Sequence, residues 1–175
     1  MQCKKALEEA GGDMEKAKVI LRKLSANIAN KKADRALGAG VAAAYTHAGG
    51  QVVGAIVLAS ETDFVSKNAD FGKLAYDIAM HVAAMNPQFK TRDDVKEEDI
   101  KAASEVFAKE VEQVPEAKRG VALQGKIDSY LKDKVLLDQP FVKDSNVTIG
   151  ELITQAVQKF GEKVEVVRME RLSVK

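Results

Sequence analysis

Hydrophobic positions recur with two different periods along the chain. Over residues 1–25 the period is helical: Cys3, Ala6, Leu7 and Ala10 share a face, Gly11-Gly12 stops that helix, and Asp13 is placed to cap the next. In the second helix Met14, Ala17, Ile20, Leu21 and Leu24 recur at helical spacing. Two helices this short cannot bury both stripes alone, which predicts a missing partner. Residues 26–40 continue a polar, basic, alanine-rich stretch that starts at Ser25 and holds Lys31-Lys32 and Asp34-Arg35. They read as a linker with some helical character at its start.

From Val41 the pattern changes. Val41–His47 and Gln51–Ala59 read as two strands around Ala48-Gly49-Gly50, whose glycines suit the positive backbone angles of a hairpin turn. A helix is expected from Asp70 to Met85, with Phe71, Leu74, Ala75, Ile78, Val82 and Met85 in one stripe. His81 falls at the edge of that stripe, beside the polar side, and Asn86-Pro87 ends the helix. Lys96–Lys134 is charge-rich and helical, interrupted at Val114-Pro115, which predicts an antiparallel hairpin. Its stripes are Ile100, Ala103, Phe107 and Val111, and Val121, Leu123, Ile127, Tyr130 and Leu131. Val135–Val142 reads as mixed apolar and turn. Thr148 and Glu151 form a capping box for a helix over Ile149–Phe160, Gly161 closes it, and Lys163–Leu172 alternates as a half-exposed strand. The predicted class is α+β: a three-stranded antiparallel sheet packed by helices on one side, with the hairpin and core spanning residues 41–175.

The connection after the second strand, Ser60-Glu61-Thr62-Asp63-Phe64-Val65, sets a large aromatic beside a carboxylate between two rigid elements, a usual place for binding residues. Phe64 reads equally as a ring folded back into the core, since lone aromatics serve packing more often than recognition. Composition narrows the function. A 46% hydrophobic fraction suffices for a core, and 30% charged residues balance to a net charge of +1, against general nucleic-acid binding. No apolar run reaches membrane-spanning length, no signal-peptide core is visible, and the single Cys3 cannot form an internal disulfide. A reducing, cytoplasmic setting is expected. No phosphate-cradling glycine loop occurs, no metal cluster is expected from His47, His81 and Cys3, and no cofactor is implied. Asp63, Asp70, Asp77 and His81 could be grouped as an acid–base set, but charges at helical spacing are usually a solvated face. The residues describe a binding protein, not an enzyme, with Phe64, Asp63 and His81 as its candidate exposed tools.

Four blocks carry a resemblance. Met1-Gln2-Cys3-Lys4-Lys5-Ala6-Leu7-Glu8-Glu9-Ala10-Gly11-Gly12-Asp13, Glu61-Thr62-Asp63-Phe64-Val65, Ile78-Ala79-Met80-His81-Val82-Ala83-Ala84 and Gln139-Pro140-Phe141-Val142 resemble translation elongation factor Ts in order and spacing. The short form, with one core subdomain, is the better match; Ala59-Ser60 replace the family's usual Asn-Cys. The resemblance implies that the family's first helix is absent here, leaving a partial, ubiquitin-associated-like module over residues 1–25. It implies guanine nucleotide exchange on elongation factor Tu, in its GDP-bound and nucleotide-free forms, without cofactor, nucleic acid or membrane. Thr62, Asp63, Phe64 and Val65, with Met80 and His81, are implied to meet the GTPase: Asp63 and Phe64 beside its magnesium site, His81 against its phosphate-binding loop. The N-terminal module, through Met1 and its neighbours, is implied to meet the nucleotide domain. Short-form members also imply a homodimer through the sheet or the C-terminal strand. The alternative is a non-catalytic adaptor that binds another partner through the N-terminal module.

Overall fold

The computed structural model describes residues 2–174 in two compact units, one running to Ala83 and resuming at Glu151, the other Ala84–Gly150. In the first unit, α1 (Gln2–Glu9) ends at Gly11 and Gly12, both at positive φ, and α2 spans Met14–Lys31. Asp13 caps α2, accepting from the Glu15 and Lys16 amides at 2.9 and 3.1 Å. The helix thus continues well into the stretch that sequence alone presents as linker.

Strands β1 (Ala39–His47) and β2 (Val52–Ser60) form the expected hairpin, with Ala48, Gly49 and Gly50 at φ of 49°, 66° and 97°. β5 (Val164–Ser173) pairs antiparallel with β2, so the sheet order is β1-β2-β5. One sheet face is closed: Gly54, Ile56 and Leu58 of β2 are buried, as are Val164 and Val166 of β5. On the other, Ala42, Ala44 and Thr46 of β1 are exposed. Helix α4 (Ala69–Met85) lies so close to β2 that a Cβ added at Gly54 would sit 2.2 Å from the Ala79 carbonyl oxygen. Only glycine permits that approach. On its other flank Phe71 meets Phe160 of α7 (Ile149–Phe160) edge to face, ring centroids 5.7 Å apart. Packed from two directions, α4 buries an arc of about 200°, from His81 through Phe71, Ala75, Ile78 and Val82 to Ala79 and Ala83. Gly161, at φ 72°, closes α7 by donating to the Val157 carbonyl at 2.9 Å.

In the second unit, α5 (Glu97–Glu110) and α6 (Glu116–Lys134) make the helical hairpin. Phe107 and Tyr130 meet edge to face at 5.8 Å, and Lys126 pairs with Glu110 at 2.7 Å, both as an antiparallel pairing requires. Ala103, Val111, Ile127 and Leu131 are buried. Val121, expected in the α6 stripe, is instead 79% exposed. The stretch after α6 holds a small two-stranded ladder that periodicity did not disclose, β3 (Pro140–Phe141) with β4 (Asp144–Thr148). A two-residue strand is too short to show a period.

Candidate functional site

The connection after β2 is partly helical. Ser60, at the end of β2, is fully buried, and its hydroxyl donates to the Thr62 carbonyl at 2.9 Å. Thr62, in extended conformation (φ −127°, ψ 161°), precedes the four-residue helix α3 (Asp63–Ser66). Successive residues of a helix point about 100° apart, so one turn sends neighbours in different directions. Val65 turns inward and is 3% exposed, whereas Phe64 turns outward and is 83% exposed. Of the two readings of Phe64, the structure takes the exposed one: the ring is presented, not stored.

Charges around the ring are ordered. Lys67 donates to Asp63 Oδ2 at 2.6 Å across one helical turn. That hydrogen bond and the lysine's charge hold the Asp63 carboxyl below its ordinary value, and Asp63 raises Lys67 in return. Behind the tip, Glu61 accepts from the Lys163 amide at 2.6 Å and pairs with Arg35 at 3.1 Å. The Lys163 amide is the largest cause of a lowered Glu61 value; partial burial opposes it and Arg35 adds to it. Glu162 accepts from Thr62 twice, from the amide at 2.9 Å and the hydroxyl at 2.6 Å.

Met80 and His81 belong to another region. They lie eleven and twelve residues into α4, so His81 is about 18 Å along the axis from the helix start beside α3. Met80 is half-buried and His81 is fully buried, so the expectation of an exposed His81 does not hold. The stripe edge that sequence assigns to His81 is covered because α4 packs on more than one side. No buried side-chain nitrogen or oxygen among the described residues lacks a hydrogen-bond partner. Met1 lies outside the described residues. No cluster of three or more potential metal ligands occurs among the described residues, and no helix among them is long and apolar enough to cross a membrane.

The whole chain has clear relatives. A family model described as Elongation factor TS matches residues 5–175. An elongation factor Ts of Alkaliphilus metalliredigens is 44% identical over 176 residues, covering 99% of this chain and 81% of that protein. One of Desulforamulus reducens is 43% identical, covering 98% of this chain and 80% of that protein, and one of Thermotoga petrophila is 38% identical, covering 99% and 87%. The chain belongs to the elongation factor Ts family.

Within this elongation factor Ts member the tip residues Asp63, Phe64 and Val65 are brought together on one short helix with Thr62 directly before it, and Met80-His81 are not brought to them. Sequence reasoning missed Lys67, Arg35, Lys163 and Glu162 as partners of the tip. Lys67 was legible in principle, as an i, i+4 partner of Asp63, had a helix been expected there. The other three meet the tip only through the chain's tertiary course, and no local signal marks them.

Proposed function

We propose that this elongation factor Ts member is a guanine nucleotide exchange factor that promotes GDP release from the translational GTPase elongation factor Tu. The observation that carries the reading is a phenylalanine 83% exposed beside a carboxylate, on a helix anchored by buried Val65. A GTPase holds its nucleotide through backbone donors, a lysine and a magnesium ion bridging phosphate oxygens. An exchanger has only to weaken those contacts. Phe64 inserts between two helices of the GTPase, and burying such a ring contributes roughly 1.5–3 kcal/mol, enough to stabilise a displaced helix. Asp63 approaches the magnesium site and disturbs the ion's ligands once it leaves Lys67. Thr62 and Val65 hold the tip in place.

Met80 supplies the contact at the far end of α4. Enclosed His81 acts through the shape of that surface rather than by reaching out. Nucleotide and exchanger weaken each other by the same factor, so the GDP-bound and nucleotide-free GTPase are both partners, and the chain itself turns over nothing. The balanced charge supports a protein partner over nucleic acid, and the setting is the cytoplasm. Two copies associate through the sheet, a reading supported by exposed Ala42, Ala44, Leu172 and Val174. The direct test loads purified elongation factor Tu with labelled GDP and adds this chain in substoichiometric amount. Release is expected to accelerate; identical release with and without the chain refutes the exchange reading.

A further inference from the structure

The tip that carries Phe64 is gripped by residues 100 positions away in sequence. The carboxylate of Glu162 accepts from the Thr62 amide at 2.9 Å and from its hydroxyl at 2.6 Å. In the opposite sense, the carboxylate of Glu61 accepts from the Lys163 amide at 2.6 Å. Each loop therefore lends a carboxylate to the other's backbone. Arg35, 3.1 Å from Glu61, holds the pair from the α2–β1 connection, and Lys32 donates to the Gly161 carbonyl. Glu61 is only 18% exposed at its side chain, so water competes less for its part-buried bond from the Lys163 amide, while the two Thr62–Glu162 bonds lie at the exposed surface.

We propose that Glu61 and Glu162 form a reciprocal clasp that fixes the direction in which Phe64 and Asp63 are presented, and that both are positioning residues for nucleotide exchange. This rests on the exchange reading above. A four-residue helix cannot hold itself in water. The Thr62 side chain, which at a helix start would ordinarily cap α3, makes no capping bond and serves the clasp instead. A single hydrogen bond would act as a pivot; two bonds to Thr62 and one returned from Lys163 fix rotation as well as distance. Phe64 follows Thr62 by two residues, so its direction inherits whatever rotation the clasp allows. Preorganised sites need their geometry held to about 0.5 Å and 10–20°. The clasp lies outside the buried positions Leu58, Ser60 and Val65, so opening it frees the tip and leaves the fold.

The test uses the full chain and release of fluorescent GDP from elongation factor Tu over a range of exchanger concentrations. Glu162→Ala is expected to raise the half-saturating concentration about tenfold with little change in the maximal rate. Glu162→Gln, whose amide can accept from the Thr62 N–H and donate to its hydroxyl oxygen, is expected to stay within about twofold of the parent. In a Phe64→Ala background Glu162→Ala is expected to add no further loss, because its effect passes through the ring. The chain has no tryptophan, so Phe64→Trp places a single, selectively excitable tryptophan on the tip, whose anisotropy is expected to fall when Glu162→Ala is added. Should Glu162→Ala fail to fold, Thr62→Val removes only the hydroxyl's bond and reads the clasp from the other side. Glu162→Ala (or that substitute) exchanging normally while Phe64→Ala is crippled overturns the clasp alone. So does an equal further loss in the Phe64→Ala background, or unchanged anisotropy. Normal exchange by Phe64→Ala overturns the exchange reading beneath it.

Discussion

Truncating Phe64 separates folding from function more cleanly than any other change in this chain. The ring is 83% exposed in the free protein, so Phe64→Ala removes little buried area and leaves no cavity. Surface substitutions of this kind stay within about 0.5 kcal/mol, and in a chain of this length the melting temperature should move by no more than about 2 °C. In the complex the same ring is proposed to be enclosed. Losing the burial of a phenylalanine then costs roughly 1.5–3 kcal/mol. With a tenfold change for every 1.4 kcal/mol, exchange efficiency should fall by roughly 10- to 150-fold. The upper end applies if the GTPase covers the ring completely. Stopped-flow release of labelled GDP gives the efficiency, and a thermal melt of the same preparation gives the stability. A variant that melts many degrees lower yet exchanges normally per folded molecule would return Phe64 to a packing role and refute the argument. An unchanged melt with unchanged exchange would refute it as directly.

Three other outcomes follow from the same geometry. His81→Ala should destabilise the protein by about 2–4 kcal/mol, the cost of a cavity around a fully buried side chain, measured by urea unfolding. If instead stability is kept and exchange per folded molecule collapses, His81 meets the partner directly. Because Glu61 is held below its ordinary value of 4.5 by Lys163 and Arg35, its contribution to stability is present above that value and is lost as pH falls through the lower folded value. Carboxyl NMR should place its midpoint below 4.5, and Glu61→Gln should flatten the acid limb of the stability curve; a midpoint at or above the ordinary value sinks this. Sedimentation at micromolar concentration should find dimers, with Ala42→Glu on the open sheet face shifting them to monomer, whereas monomer alone in the parent chain ends the self-association reading.

Much of this protein is legible without coordinates, and the reason is the same at each place. The β1–β2 hairpin, the α4 stripe, the break before Pro115 and the closure of α7 at Gly161 each depend on residues within a few positions of one another. Backbone periodicity, caps and positive-φ glycines are local properties, so a local reading finds them. The block Thr62-Asp63-Phe64-Val65 stood out for the same reason, through its place after an apolar strand. What the tertiary structure decided is orientation and partnership. Nothing in the order of two adjacent apolar residues says that Val65 goes in and Phe64 goes out; the rotation of α3, fixed by Ser60 beneath it and Glu162 beside it, makes that choice. His81 sits at the edge of a stripe in either view, and only the packing of α4, which buries about 200° of its circumference, turns that edge into interior. The grip of Glu162 on Thr62 spans 100 residues. Such contacts arise because β5 returns to pair with β2 and brings the loop at its start against the loop at β2's end, a consequence of topology that no window of sequence contains.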